Sequence, residues 1–148
     1  MESMKPLYTA TGIASGNRRE GTTALADGTL EIALAVPVEA GGTGAGANPE
    51  QLFALGYAAC FHTALQVVGS RRGKSVKDSR VTAKVTIGNE DGLSPSGRQV
   101  SMSLGVELIA TVPELDTAEV QELLEAAHEL CPYSKATRGN IPVTLSVG

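Results

Sequence analysis

The chain has 148 residues, 42% of them hydrophobic, which is enough to bury one core of ordinary size. Its net charge is -4, and its few aromatic residues do not alternate with basic ones, which argues against a nucleic-acid partner. The N-terminus lacks a signal-peptide core, and no apolar run is expected to reach the roughly 18 residues that cross a bilayer. We therefore expect a single domain over residues 1–148 in a soluble, cytoplasmic protein without a membrane partner.

The N-terminal part of the chain predicts antiparallel strands. Residues 6–16 form a first candidate strand, and residues 22–37 predict a hairpin that turns at Asp27 and Gly28. Such a pair suits the positive dihedral angles of a tight two-residue turn. The glycine-rich segment 39–50 follows and predicts a flexible loop, because it lacks the residue spacing of a nucleotide site.

A long apolar helix is predicted to begin at Pro49. Asn48 is its candidate N-cap, and Gln51 is placed to close a capping box. The body of the helix, LFALGYAACFHTALQVV, is apolar almost all round and indicates a buried central helix. Arg71 and Gly73 are typical of a basic last turn and a C-terminal stop.

The remaining sequence predicts strands and one more long helix. In chain order these are a strand over 81–87, a strand over 100–108, a helix over 117–131, a turn or short helical piece over 133–140 and a closing strand over 143–147. Asp116 and Glu119 form a capping box for the helix, and Pro132 ends or kinks it. Runs of strands separated by two helices indicate an α+β fold with antiparallel sheet.

Three roles remain open for the only two cysteines, Cys60 and Cys131. They are small apolar core residues, zinc ligands together with His62 and His128, or a dithiol that cycles with a disulfide. Zinc is disfavoured because Cys60 and His62, two apart on a helix, point away from each other. The dithiol role requires a cation near Cys60, which lies too far along its helix to benefit from the dipole. The candidate cations are Arg18, Arg19, Arg138 and the basic residues after Val68.

Three segments share one wider pattern: LYTATGIASGNR from Leu7, ANPEQLFALGYAACF from Ala47 and CPYSKATRGN from Cys131. Together they resemble the organic hydroperoxide resistance (Ohr) family of the OsmC-like superfamily, over nearly the full chain. The resemblance implies an α+β, OsmC-like fold with antiparallel sheets around two buried central helices, in an intertwined homodimer. It also implies reduction of organic hydroperoxides to alcohols in peroxide stress, with no bound cofactor and with dihydrolipoamide on a lipoylated protein as reductant.

The resemblance assigns catalytic roles by position. Cys60 matches the peroxidatic cysteine, which becomes a sulfenic acid, and Cys131 matches the resolving cysteine, which closes a disulfide with it. Arg18 matches the arginine that stabilises the thiolate, and Glu50 matches the carboxylate that holds this arginine. The loop GNRREG is one residue longer than the family pattern, so Arg19 is the alternative to Arg18.

Glu50 and Cys60 are ten positions apart, which an unbroken helix converts into about 15 Å along its axis. Either the helix is interrupted, or long side chains bridge the gap, or Glu50 serves Cys60 of the partner subunit.

The apolar residues near Cys60 are expected to favour alkyl or fatty-acid peroxides; these are Phe53, Tyr57 and Phe61. The alternative function is a non-enzymatic redox sensor or small-molecule binder of the same fold.

Overall fold

The structure is a computed structural model that describes residues 4–17, 20–90, 96–97 and 101–148. In chain order its elements are β1 (Gly12–Gly16), β2 (Glu20–Leu25), β3 (Glu31–Ala35), a 3-10 turn (Val38–Ala40), α1 (Pro49–Arg71), β4 (Arg80–Glu90), β5 (Ser101–Thr111), α2 (Thr117–Leu130), α3 (Pro132–Thr137) and β6 (Val143–Val147). The predicted α+β class is confirmed. The chain divides into two compact units, Met1–Pro49 and Glu50–Gly148, and the single domain stays a prediction.

The first unit contains an antiparallel sheet in the order β1-β2-β3. Leu25 N donates to Leu30 O at 2.9 Å and closes a loop over residues 26–29, so the predicted two-residue turn is wrong. Only Gly28 has a positive φ there, of 76°. The Asp27 carboxylate shapes the loop by accepting hydrogen bonds from Thr29 N and Thr29 Oγ1, at 2.9 and 2.7 Å.

The glycine-rich segment is tied to β3, which differs from the flexible loop predicted for it. Ala47 N donates to Ala33 O, and Ala35 N donates to Ala47 O, both at 2.9 Å. A Cβ at Gly46 would lie 2.7 Å from Ala33 O, so the close approach requires a residue without a side chain. These backbone hydrogen bonds hold the chain beside β3 just before α1 begins.

The second unit contains a sheet in the order β4-β5-β6. β4 and β5 pair antiparallel from Arg80↔Thr111 to Glu90↔Ser101, and both strands are longer than predicted. β6 pairs parallel with β5, from Val106↔Val143 to Ala110↔Val147, which differs from the antiparallel sheet predicted. The parallel pairing arises because α2 and α3 carry the chain back over the sheet before β6 begins.

The core of the second unit forms between its helices and β5. Asp116 caps α2 as predicted, since its side chain accepts a hydrogen bond from Glu119 N at 2.8 Å. This cap fixes the start of α2, whose apolar stripe is buried at Val120, Leu123, Leu124 and Ala127. The largest fully buried side chains of this core are Tyr57, Phe61, Leu65, Leu108, Leu123, Leu124 and Val120.

α1 is buried on one side only within this chain. Tyr57 and Phe61 are fully buried, whereas Leu55 is 68% exposed, so the prediction of burial all round is not met within one subunit. In the described part of the chain, one helix, α1, has the length and the apolar composition that could cross a membrane. This differs from the expectation that no apolar run reaches such a length. Core helices of compact proteins have the same length and composition, and the buried aromatic residues of α1 are typical of such a helix.

Candidate active site

The two cysteines lie next to each other. Cys60 Sγ, on α1, is 3.3 Å from Cys131 Sγ, which lies between α2 and α3. Both thiols are free, Cys60 is half-buried and Cys131 is fully buried. This proximity is what the dithiol role requires, one of the three roles left open for the two cysteines. A small movement of either side chain suffices to form the S–S bond of a disulfide.

A backbone amide also contacts the Cys60 thiol. Cys131 is the N-cap of α3, Pro132 occupies its first turn, and the Tyr133 backbone N–H acts on Cys60 Sγ and lowers the pKa of this thiol. Amides in the first turn of a helix have no partner within the helix and are therefore free to donate elsewhere. Sequence reasoning missed this donor, although Pro132 directly after Cys131 is a recognisable signal for a new helix start.

The surroundings act on the Cys60 pKa in opposite directions. Burial raises the pKa of the thiol above its ordinary value, the Tyr133 N–H lowers it, and the neighbouring Cys131 thiol raises it further. The net effect is a raised pKa. Among the described residues, no cation contributes to this balance, so the part of the chain that is described does not supply the positive charge that a thiolate needs.

The candidate cations have different positions. Arg138 Nη1 donates to His128 O at 2.6 Å at the end of α2, and Arg138 is not among the groups that shift the pKa of Cys60. Arg71 lines the same cavity as Cys60 without affecting its pKa. Arg18 and Arg19 lie outside the described residues.

An open cavity of about 460 Å³ lies beside Cys60. Its lining is mainly apolar and comes from one side of α1 and from the end of α2: Thr63, Ala64, Val67, Arg71, Leu130 and Pro132. Among the residues that the structure describes, Arg71 is the only charged side chain in this lining. The cavity therefore offers the half-buried thiol a chamber that suits an alkyl group.

None of the three predicted substrate-contacting residues lines that cavity. Tyr57 and Phe61 are fully buried, with ring centroids 6.4 Å apart. Phe53 lines a second cavity, of about 450 Å³, which contains neither cysteine. Their role in substrate binding stays a prediction.

The Tyr57 hydroxyl belongs to a buried group of side-chain hydrogen bonds. It lies 2.8 Å from Ser134 Oγ and 2.9 Å from Thr137 Oγ1, both on α3. Ser134 Oγ is in turn 2.8 Å from His128 Nδ1, on α2. Burial and the nearby Arg138 guanidinium lower the pKa of His128, so its imidazole is neutral at pH 7.

The four possible zinc ligands do not converge on one point. His62 Nε2 lies 2.9 Å from Ser79 Oγ, whereas His128 bonds to Ser134. No cluster of three or more His, Cys, Asp or Glu side chains able to hold a metal is present in the described part of the chain. The bond to Ser79 gives His62 a tethering role between α1 and the segment before β4.

The course of α1 reduces the options for Glu50. The helix is unbroken from Pro49 to Arg71, so an interruption between Glu50 and Cys60 is excluded. The two residues therefore stay about 15 Å apart along the helix axis. Long side chains bridging the gap, or service to Cys60 of the partner subunit, remain the alternatives.

Comparisons with known proteins give consistent matches over nearly the whole chain. The family model described as OsmC-like protein matches residues 42–146. An organic hydroperoxide resistance protein of Xanthomonas axonopodis pv. citri (strain 306) is 44% identical over 147 residues, covering 97% of this chain and 96% of the relative. OhrB of Bacillus subtilis (strain 168), an organic hydroperoxide resistance protein, is 40% identical over 141 residues, covering 95% and 98%.

Solved structures agree with the sequence matches. An organic hydroperoxide resistance protein from Legionella pneumophila superposes with a TM-score of 0.85 at 42% identity, covering 97% of this chain and 99% of the other. The crystal structure of Bacillus subtilis OhrB superposes with a TM-score of 0.81 at 41% identity, covering 97% and 100%.

Proposed function

This chain belongs to the organic hydroperoxide resistance branch of the OsmC-like family, and from that premise we propose that it is a thiol peroxidase. It reduces organic hydroperoxides to alcohols and so protects the cell from them. The observation that carries the proposal is the pair of free thiols 3.3 Å apart, one of them open to an apolar cavity. Free thiols at this distance suit a redox couple in a reducing, cytoplasmic compartment.

Cys60 is the nucleophile because it is the half-buried thiol that lines the cavity. Its thiolate attacks the outer oxygen of the hydroperoxide, an S–O bond forms and the O–O bond breaks. The leaving alkoxide takes a proton and departs as the alcohol. The Tyr133 N–H stabilises the thiolate before attack, and a hydrogen bond to a charged acceptor is stronger than a neutral one.

The remaining charge stabilisation comes from Arg18, with Arg19 as the alternative in the same loop. A guanidinium stays protonated at neutral pH, favours the thiolate and offers two donors to the peroxide oxygens as charge develops. Glu50 holds this guanidinium through a paired hydrogen bond. The raised pKa of Cys60 supports the need for a nearby cation, because no cation among the described residues lowers it.

Cys131 completes the cycle. Its thiol attacks the sulfur of the Cys60 sulfenic acid, an S–S bond forms and water leaves. Two electrons and two protons from dihydrolipoamide, carried by a lipoylated protein, restore both thiols by thiol–disulfide exchange. No bound cofactor is needed for this cycle.

The substrate is an alkyl or fatty-acid hydroperoxide. The apolar cavity beside Cys60 supports this class, because it offers an alkyl group burial that hydrogen peroxide cannot use. Phe53, Tyr57 and Phe61 are proposed to shape the binding site in the assembled protein. The assembled protein is a homodimer, supported by the side of α1 that is not buried within one chain, where the apolar Leu55 is 68% exposed.

Turnover of cumene hydroperoxide with dihydrolipoamide tests the proposal. The wild type is expected to consume the peroxide at a rate at least tenfold above its rate with thioredoxin or glutathione as reductant. Cys60→Ser is the control and is expected to show no protein-dependent consumption.

Absence of turnover in the wild type would contradict the proposed peroxidase activity. It would favour the alternative hypothesis of a non-enzymatic redox sensor with the same fold. Equal efficiency with hydrogen peroxide and cumene hydroperoxide would contradict the proposed substrate class alone.

A further inference from the structure

A chain of buried hydrogen bonds lies one helical turn from both thiols. Tyr57 precedes Cys60 by three residues, while Ser134 follows Cys131 by three. Ser134 is fully buried and Thr137 is 5% exposed. Every buried side-chain polar atom in the described part of the chain has a hydrogen-bond partner, so this group is satisfied internally.

The chain has one direction. Thr137 Oγ1 donates to Ser134 O at 3.3 Å, so it accepts from the Tyr57 hydroxyl. Tyr57 then accepts from Ser134 Oγ–H, and Ser134 accepts from His128 Nδ1–H. Each hydroxyl donates once, and the neutral imidazole carries its proton on Nδ1. Removing one member therefore leaves a buried donor or acceptor without a partner.

These bonds join α1 to α2 and α3, which follow each other in the chain through Cys131 alone. Tyr57 belongs to α1, His128 to α2, and Ser134 and Thr137 to α3. α3 is only six residues long, so it cannot hold its own orientation and depends on tertiary contacts. Its first turn carries Tyr133 N, the donor to Cys60 Sγ.

We propose that the chain His128–Ser134–Tyr57–Thr137 is a positioning device that holds the first turn of α3 against α1, so that the Tyr133 N–H stays beside Cys60. These residues do not touch the peroxide and act only through the backbone of α3. The ring of Tyr133 supports the same placement, because it packs over Gly56, where a Cβ would lie 2.8 Å from its hydroxyl oxygen. The functional meaning rests on the proposed role of Cys60 as nucleophile.

The test measures the Cys60 thiolate itself and needs no peroxide, so it fails or succeeds independently of the peroxidase activity. Alkylation of Cys60 by iodoacetamide is followed against pH in the full-length protein, with peptide mass spectrometry separating it from Cys131. Ser134→Ala is expected to raise the apparent pKa of Cys60 by about half a unit, which lowers its thiolate fraction at pH 7 about threefold.

Ser79→Ala is the matched control, because it also removes a serine hydroxyl bonded to a histidine, 2.9 Å from His62 Nε2. It is expected to leave the alkylation profile of Cys60 unchanged. Tyr57→Phe keeps the buried ring and removes only the hydroxyl. It is expected to raise the apparent pKa of Cys60 in the same way, so it replaces Ser134→Ala if that variant fails to fold.

Within the chain itself, Thr137→Ser retains a hydroxyl and is expected to keep the wild-type profile, whereas Thr137→Val shifts it as Ser134→Ala does. Among the described residues, the titratable groups facing Cys60 are Cys131 and, along the cavity, Arg71, and none of these variants changes them. Profiles of Ser134→Ala and Tyr57→Phe that overlay the wild type would overturn the proposal. An equal shift in Ser79→Ala would overturn it as well.

Discussion

At the scale of single residues, Cys60 combines exposure to a cavity with a raised pKa. Burial protects a sulfenic acid from solvent and from further oxidation, but it also disfavours the thiolate that must attack. The Tyr133 amide opposes this cost only in part, because the pKa of Cys60 stays above its ordinary value. The proposed mechanism therefore requires an additional cation.

His128 predicts a measurable dependence of stability on pH. Its pKa is lowered in the folded chain, mainly by burial and then by Arg138, so the unfolded chain binds a proton more readily than the folded one. This stability is present above the ordinary histidine pKa of about 6.5 and is lost as the pH falls below it. We expect the urea concentration at the unfolding midpoint of the wild type to decrease when the pH is lowered from 7.5 to 5.5.

His128→Asn removes the titration and keeps an amide N–H at the position of Nδ1, the atom that bonds to Ser134. Its urea midpoint is expected to fall less than that of the wild type over the same pH interval. A fall of equal size in both proteins would show that carboxylates, and not His128, cause the pH dependence.

The site was predictable to the extent that it depends on residue identity. Cys60 and Cys131 stand out as the only two cysteines of the sequence, and the structure brings their thiols into contact. The donor Tyr133 N was not predictable in the same way, because every residue except proline carries a backbone amide. Tyr57 was predicted to contact substrate from its position near Cys60. Its hydroxyl instead bonds to residues 77 and 80 positions away, a pairing that no local pattern encodes.

At the scale of elements, the end of α1 packs tightly on the segment before β4. Gly69 is buried, and a Cβ at this position would lie 2.5 Å from Val76 Cγ1. We expect Gly69→Ala to lower the free energy of unfolding by about 1–3 kcal/mol through overpacking, even though alanine favours the helix. Urea unfolding measures the change.

Gly105→Ala is the matched control, because nothing lies within 4 Å of a Cβ placed at that strand position. It is expected to leave the stability unchanged within about 0.5 kcal/mol. If Gly69→Ala is no less stable than Gly105→Ala, the claim that α1 packs too tightly against Val76 to accept a side chain at Gly69 is contradicted.

Elements with local signals were predicted well, and those with long-range causes were not. Asp116 caps α2 and Pro49 opens α1, since both signals act within one helical turn. The direction of β6 depends on how α2 and α3 return the chain to the sheet, which strand periodicity does not encode. The loop after Ala26 depends on the register of β2 and β3, so the pair Asp27-Gly28 indicated a turn but not its length.

At the scale of the whole molecule, the unbroken α1 favours a site shared between two subunits. Glu50 and Cys60 lie about 15 Å apart along one straight helix, too far for a short carboxylate to act on the thiol of its own chain directly. We propose that Glu50 serves Cys60 of the partner subunit. Activity then depends on the dimer.

Mixing Cys60→Ser and Glu50→Ala chains tests this arrangement. Neither variant alone is expected to be active, and random reassociation restores about a quarter of the wild-type sites if they are shared. Peroxide turnover measured after unfolding and refolding the two chains together reports the recovery. No recovery, with heterodimers shown by mass spectrometry, would place Glu50 and Cys60 in the same subunit's site.

The thiol stoichiometry of a single oxidation tests the central claim most directly. One equivalent of cumene hydroperoxide is added to the reduced protein, whose chain has two thiols, and the thiols and disulfides are then counted by titration and peptide mass spectrometry. We predict that both thiols are lost, that one disulfide joins Cys60 to Cys131, and that one equivalent of the alcohol forms. Cys131→Ser is expected to lose one thiol and to hold Cys60 as a sulfenic acid. Full recovery of both thiols with the peroxide unconsumed would contradict the account.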